Sequence, residues 1–202
     1  MATVVEVWNL ALARLGDSGT VTSTDPPEES VQAGYCNRFY ALARDTLLEA
    51  HPWKFAVRRG ALSALSDQDT YEWAYAYGLP SQMIRCLSVL SETGRDDDDS
   101  QDYAIQTADD GTQYLLTDQQ DAHILYIWRQ EDTTRYSPMA IDALSWLLAA
   151  HVAGPMIKGD EGRKMAQACF SAYQGFVQRA AASDANQRKR QPTHTAPWIG
   201  GR

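Results

Sequence analysis

The chain has little cysteine, and the cysteines it has form no recognisable pattern. Cys36, Cys86 and Cys169 are its only three. They are odd in number, widely spaced and without a C-x-x-C pair, which argues against a disulfide framework and against a thiolate zinc site. We therefore expect three reduced and mostly buried thiols.

The sequence also lacks the features that would direct it to a membrane. It has no run of about 18 apolar residues, so we expect no membrane span and no membrane anchor. The segment from Met1 to Glu6 has no basic region followed by an apolar core, so no signal peptide is predicted. Apolar residues make up 44% of the 202 residues, enough for a sizeable core in one large domain or two small ones. We expect a protein that acts in the cytoplasm, or in a particle assembled there.

Sequence motifs for nucleotide binding and for common hydrolases are missing. There is no G-x-G-x-x-G, no G-x-x-x-x-G-K, no H-E-x-x-H and no G-x-S-x-G. The acidic run Asp96–Asp99 and the turn Asp109-Asp110-Gly111 lack the ligand spacing, the mid-loop glycine and the distal glutamate of a calcium loop, which favours solvated loops. We therefore predict no catalytic residue, no metal site and no cofactor.

One class of enzyme stays open as an alternative. A cell-wall (peptidoglycan) hydrolase would need two carboxyl groups about 5–9.5 Å apart, one of them with a raised pKa. Glu49, Glu72 and Glu131 are conceivable members of such a pair. No motif selects them, because any chain with 26 acidic residues offers candidates of this kind.

The net charge of −8 is unevenly distributed. Residues 92–121 carry −9, whereas residues 179–202 carry +4. An acidic body argues against nucleic-acid binding by the body, since contact with phosphates needs a basic surface.

Two helices are predicted before the first strand. A capping box at Thr3-x-x-Glu6 and apolar residues at helical spacing predict a helix from Val4 to Leu15. Asp25-Pro26, read as an N-cap followed by proline at N1, predicts the start of a second helix, which Pro52 ends.

The middle of the chain changes to a period of two. Aromatic residues alternate with small or polar ones from Tyr71 to Leu79, which predicts a strand with one aromatic face. Asp109-Asp110-Gly111 is a hairpin signal. Further strands are predicted at Met83–Leu90, Tyr103–Thr107, Thr112–Thr117 and His123–Arg129. We expect five or six antiparallel strands in all.

Helices resume at Ser137-Pro138. That helix is predicted to kink or end at Gly154-Pro155, and a last helix runs from Asp160 to about Ala182. The fold class is therefore α+β. A helical bundle (residues 1–53 and 132–182) holds an inserted antiparallel β-rich region (54–131), and an extended C-terminal arm follows (183–202).

The helix after Ser137 is apolar on nearly all sides, which predicts burial on several sides. This pattern suits a subunit wedged between neighbours. The residues we assign to packing between subunits are Ile141, Leu144, Leu147 and Leu148.

The C-terminal arm has no helical or strand period, and it combines charge with apolar residues. We consider three interpretations: a docking arm, an idle solvated tail, and a nucleic-acid contact through three basic residues. The docking arm fits better, because the apolar residues gain from burial in a partner. The residues predicted to dock are Arg188, Lys189, Arg190, Pro192, Pro197, Trp198 and Ile199.

The order of these features resembles the head-to-tail adaptor family of short-tailed bacteriophages, the "tail tubular protein A" family. The resemblance covers most of the chain. Its most specific pieces are Ala11–Gly16, the Asp25-led helix with Ala33, Arg44-Asp45, His51–Ala56, Tyr77-Gly78-Leu79-Pro80 followed by Arg85, and the helix Ser137–Ala153.

The resemblance implies a structural virion protein. In that family, a helical bundle is interrupted by a β-rich insertion, and twelve copies form a ring between the portal protein and the tail nozzle protein. It implies self-association, a C-terminal arm that reaches along the portal, and a channel through which DNA passes without specific binding. An acidic body suits such a channel, because like charges repel.

Overall fold

The computed structural model of the chain describes residues 2–94 and 100–187, and it is α+β as predicted. Four α-helices and eight strands lie in the described part of the chain. The helices are α1 (Val4–Arg14), α2 (Val31–Ala50), α3 (Pro138–Ile157) and α4 (Gly159–Ala185). The strands are β1 (Val57–Ala61), β2 (Ser63–Leu65), β3 (Tyr75–Gly78), β4 (Met83–Leu90), β5 (Ser100–Gln101), β6 (Tyr103–Thr107), β7 (Gln113–Thr117) and β8 (His123–Trp128).

The start of α1 follows the predicted cap. The Glu6 amide donates to Thr3 Oγ1 (3.3 Å), and the Thr3 amide donates to Glu6 Oε2 (2.6 Å), so each residue satisfies a free donor of the other. Gly16, with φ of +77°, takes the left-handed position after the helix. The bounds predicted from the sequence are confirmed to within one residue.

The predicted start of α2 is wrong. The helix begins at Val31 rather than after Asp25, because the Ser30 hydroxyl accepts from the Ala33 amide (3.2 Å) and serves as the N-cap. Glu28 does not lie in the first turn. It closes the preceding loop by accepting from the amide and hydroxyl of Thr22, both at 2.8 Å.

The two C-terminal helices form a tight hairpin. Ser137 caps α3 as predicted. Of the two outcomes predicted at Gly154-Pro155, a kink or an end, the end is wrong, because the helix continues through Pro155 to Ile157. In the last turn of a helix, a missing N–H removes only one hydrogen bond, which the fold tolerates. A Cβ at Gly162 of α4 would lie 3.3 Å from the carbonyl oxygens of Ala153 and Gly154, so α3 and α4 approach closely there.

Helix α4 is longer than predicted. It ends at Ala185 rather than near Ala182, so the first residues assigned to the extended arm are helical. The remainder of the predicted arm, beyond Gln187, lies outside the described residues.

The β-rich insertion consists of two antiparallel four-stranded sheets. Their strand orders are β1-β8-β4-β5 and β2-β3-β7-β6. The first sheet is the middle layer of the molecule. Ile127 and Ile84 on one face join the helical core, while Ile124 and Val89 on the other join the core between the sheets, which includes Tyr77.

The hairpin prediction is confirmed and the aromatic strand is shortened. Strands β6 and β7 pair around Gly111, whose φ is +84°. The predicted strand from Tyr71 to Leu79 covers only Tyr75–Gly78, because the Trp73 amide donates to the Thr70 carbonyl in a turn (2.8 Å).

Helix α3 is the centre of the bundle. It packs against each of the other three helices. By length and composition alone, α3 could cross a membrane, although we expected no such helix from the sequence. Because 56% of its most apolar 18-residue window is buried in the fold, this is a weak indication, since the core helix of a soluble protein passes the same test.

Candidate assembly surfaces

The four residues predicted to pack between subunits lie inside the chain's own core. Leu144 and Leu148 are fully buried, and Ile141 and Leu147 are 6% and 2% exposed. Helix α3 is apolar on nearly all sides because it packs against α1, α2 and α4 of the same chain. The assignment of these four residues to contacts between subunits does not fit this position, and we correct it.

Helix α2 presents a different apolar face to the outside. Val31 is 68% exposed and Leu42 is 57% exposed, whereas Tyr35 is half-buried. The guanidinium of the exposed Arg38 lies 5.9 Å from the Tyr35 ring. We call Val31, Tyr35, Arg38 and Leu42 the α2 seam. Steps of four, three and four residues place these side chains along one line of the helix.

Helix α1 carries a second exposed line of residues. Glu6, Leu10 and Ala13, which we call the α1 seam, are all exposed, and Leu10 is 39% exposed. A recess of about 460 Å³ lies beside Leu10, with Ala2, Glu6 and Asn9 as the other lining residues. Near the other end of α1 is a further recess of about 350 Å³. It is lined by Leu15, Gly16, Asp17, Ser18, Met156 and Ile157.

Arg14, the arginine of α1, points away from the α1 seam. Arg14 Nη2 donates to Asp142 Oδ1 on α3 (2.7 Å), and its guanidinium lies 4.1 Å from the centre of the Trp146 ring. The α1 seam therefore carries one acidic group and no basic group, while the α2 seam carries one basic group.

A buried carboxylate holds the last turn of α4 in place. Asp184, in the last turn of α4, is 3% exposed. Its Oδ2 accepts from the Lys54 amide (3.1 Å) and lies 3.3 Å from His51 Nε2. Both partners belong to the corner between α2 and β1, so the end of α4 is held against the junction of the bundle and the insertion.

The residues predicted to dock all lie outside the described residues. They are Arg188, Lys189, Arg190, Pro192, Pro197, Trp198 and Ile199.

A charged cluster links α2 to the end of β8. Arg44, only 9% exposed, donates to Asp45 (2.9 Å) and lies 3.5 Å from Glu131. Arg129 Nε forms an ion pair with Asp45 Oδ2 at 3.0 Å, without the geometry of a hydrogen bond. This cluster spans the two parts of the fold, so it is well placed to hold the insertion in a fixed orientation on the bundle.

The three acids considered for hydrolysis occupy separate, exposed positions. Glu49 is near the end of α2, Glu72 lies in the loop before β3, and Glu131 follows β8. The Glu131 side chain is 61% exposed and faces Arg44. The general acid of a glycosidase is usually desolvated, whereas all three of these side chains lie at exposed positions.

The acidic turn lines a polar recess at the edge of the second sheet. The recess is about 360 Å³, and its lining includes Asp67, Asp69, Asp109 and Asp110. The amide (2.8 Å) and the hydroxyl (3.0 Å) of Thr112 both donate hydrogen bonds to the Asp110 carboxylate. Within residues 2–94 and 100–187, no group of three or more metal-ligating side chains is placed to hold an ion. Asp96–Asp99 fall outside that range.

The three thiols are buried and reduced, as expected. Burial, with a smaller contribution from the charge of Asp17, raises the pKa of Cys36 to about 12. Burial likewise raises the pKa values of Cys86 and Cys169. All three are therefore poor nucleophiles and poor metal ligands in the folded chain.

The two seams and Asp184 were missed by sequence reasoning. The α2 seam was visible as a second set of residues out of phase with the core stripe of Cys36, Tyr40, Ala43 and Leu47. Asp184 gave no local signal, because its partners lie about 130 positions earlier in the chain.

The sequence matches no protein-family model, and a search of curated proteins gave no significant match. The resemblance to the adaptor family therefore rests on the residues quoted for it and on the order of the elements. That order is helix, helix, β-rich insertion, helix, helix.

Proposed function

We propose that this chain is a structural virion protein, an adaptor subunit that forms a ring between the portal and the tail nozzle of a short-tailed phage. About twelve copies would surround a channel through which DNA passes without specific binding. The protein would act without catalysis, in the virion and, during assembly, in the host cytoplasm.

The observation that carries this proposal is a complete internal core combined with exposed apolar helix faces. Ile141, Leu144, Leu147 and Leu148 of α3 are buried within one chain. Val31 and Leu42 of α2, in contrast, are largely exposed to solvent. Exposed apolar groups arranged along a line, rather than scattered singly, are typical of protein contact surfaces. A mechanical subunit needs such surfaces, and it needs no cleft.

The anchoring of the end of α4 supports the same proposal. Asp184 holds the end of α4 at the corner between α2 and β1. We propose that Trp198 and Ile199 bind a groove of the portal, and that Arg188, Lys189 and Arg190 steer the approach. Burial of about 300 Å² of apolar surface would contribute several kcal/mol before ordering costs.

The test is binding of the chain to an isolated portal ring, with and without the arm. The cut belongs after Gln187 rather than after Ala182, because removal of Asp184 would also damage the fold. We expect truncation to weaken binding strongly, Trp198→Ala to speed dissociation, and neutralisation of the three basic residues to slow association at low salt.

Two results would count against the proposal. Equal binding by the truncated and full chains would show that the arm is idle. Lysis of peptidoglycan by the pure protein, abolished by Glu49→Gln, Glu72→Gln or Glu131→Gln, would favour the hydrolase alternative.

A further inference from the structure

We infer that the α2 seam of one copy packs against the α1 seam of the next copy, and that this contact is the lateral interface of the assembly. The inference rests on the proposed function, because the second copy is the neighbouring subunit of the ring. The partner is another molecule of this same chain.

The spacing of the α2 seam fits a helical partner. Val31, Tyr35, Arg38 and Leu42 follow steps of four, three and four residues, which is the 3.5-residue repeat by which one helix presents a continuous line to another. An extended peptide would contact alternate side chains of a strand edge instead. The occupant that this line favours is therefore an α-helix.

The α1 seam offers a matching surface on the same molecule. Glu6, Leu10 and Ala13 follow steps of four and three residues, so the repeat is the same. Leu42 and Val31 project from α2, whereas Leu10 borders a recess of about 460 Å³. A projecting side chain and a recess of this kind give the knob-and-hole contact that close helix packing requires.

The charges favour this pairing over α1 with α1 and over parallel pairing of α2 with α2. Arg38 is the basic residue of the α2 seam, and Glu6 is the acidic residue of the α1 seam, while Arg14 is turned inward to Asp142. Pairing α1 with α1 would bring two Glu6 carboxylates into one interface, and parallel pairing of α2 with α2 would juxtapose two Arg38 side chains. Pairing α2 with α1 brings opposite charges together, which selects the partner more than it adds affinity.

A contact between two different surfaces has a defined consequence for assembly. Each copy can bind one neighbour through α2 and another through α1, so the interface is heterologous. Heterologous interfaces form closed rings or open filaments rather than two-fold dimers. The interface thus deepens the ring proposal by naming the two surfaces that meet.

Cysteine cross-linking tests the pairing directly. One preparation carries Leu10→Cys and another carries Leu42→Cys, and both positions are exposed in the folded chain. The unmodified chain is the background control, because its own three cysteines are buried. Oxidation is carried out with the free chain at high concentration and again with a portal ring present.

We expect disulfide-linked dimers in the mixture of the two variants, and few in either variant alone. The double variant, Leu10→Cys with Leu42→Cys, should give a ladder of covalent multimers. Dimers of Leu42→Cys alone that form as readily as the mixed pair would overturn the inference, and so would the absence of the mixed cross-link under both conditions.

A matched pair of charge reversals provides the second readout. Arg38→Glu should weaken self-association by about fivefold or more, because like charges then meet across the interface. Arg179→Glu on α4 is the control, since that guanidinium also lies over an aromatic ring, 5.7 Å from Phe176, but outside both seams. Equal effects of the two changes would contradict the pairing.

The outcomes separate this inference from the proposed function. Portal binding without the mixed cross-link overturns the seam pairing alone. The mixed cross-link without portal binding supports the pairing and overturns the adaptor role.

Discussion

Replacing Asp184 by alanine is expected to destabilise the whole fold, although the residue lies near the end of the last described helix. Asp184 is 3% exposed and accepts a hydrogen bond from the Lys54 amide while it faces His51. Its loss would leave the Lys54 N–H without its acceptor and His51 without its anionic partner.

The magnitude follows from the charge on the acceptor. A hydrogen bond to a charged group contributes about 1.5–3 kcal/mol, so we expect the free energy of unfolding to fall by about 2–3 kcal/mol in Asp184→Ala. For a chain of this size, each kcal/mol shifts Tm by about 2–4 °C, which predicts a loss of roughly 4–12 °C. Asp184→Asn, which keeps one acceptor oxygen, should lose less.

Urea unfolding followed by circular dichroism measures the effect. Asp160→Ala is the control, because Asp160 lies in the first turn of the same helix with its side chain 76% exposed. We expect Asp160→Ala to change the free energy of unfolding only slightly. If the two alanine variants lose equal stability, or if Asp184→Ala loses none, the corner does not anchor the end of α4.

Three further predictions concern thiols, acid and helix packing. Because burial raises the pKa of Cys36 to about 12, a thiol reagent should label the folded chain slowly and the urea-unfolded chain fully, and rapid labelling of the folded chain would contradict the burial. Hydrogen bonds from the Ser30 hydroxyl, and then from the amide and hydroxyl of Thr22, lower the pKa of Glu28. The contribution of the Glu28 carboxylate to stability is therefore present above about pH 4.5 and is lost as pH falls through the lowered pKa. The urea midpoint of Glu28→Gln should vary less with pH across this acid range than that of the unmodified chain, and an unchanged pH dependence would contradict these hydrogen bonds. Gly175→Ala should stabilise α4 by about 0.5–1 kcal/mol because the site is open, whereas Gly162→Ala should destabilise it by crowding α3, and equal thermal shifts would refute the close approach.

The parts of the fold that depend on local chemistry were predictable from the sequence. Thr3 and Glu6 satisfy each other within one turn, and Ser137 caps the residues beside it, so the starts of α1 and α3 were correct. The start of α2 was not, because Ser30 caps the helix instead of the predicted Asp25. Glu28 closes the loop onto Thr22, which leaves Ser30 as the cap.

Contacts between distant segments were not predictable in the same way. The sequence shows that α3 is apolar on nearly all sides, but not whether its neighbours belong to the same chain. In the fold, Leu144 is enclosed by the chain's own helices, while Leu42 on α2 is left outside. Helix α2 carries two apolar lines, and its packing against α3 determines which of them faces the core. The sequence of α2 alone does not specify this.

Electron microscopy of the chain mixed with isolated portal rings tests the central proposal most directly. We predict an added closed ring of about twelve copies on the tail-facing end of the portal, with an open axial channel. Double substitution of Val31 and Leu42 by serine should leave single copies attached through their arms without closing the ring. If the unmodified chain adds no ring to the portal at any salt concentration while it remains folded, the adaptor role is wrong.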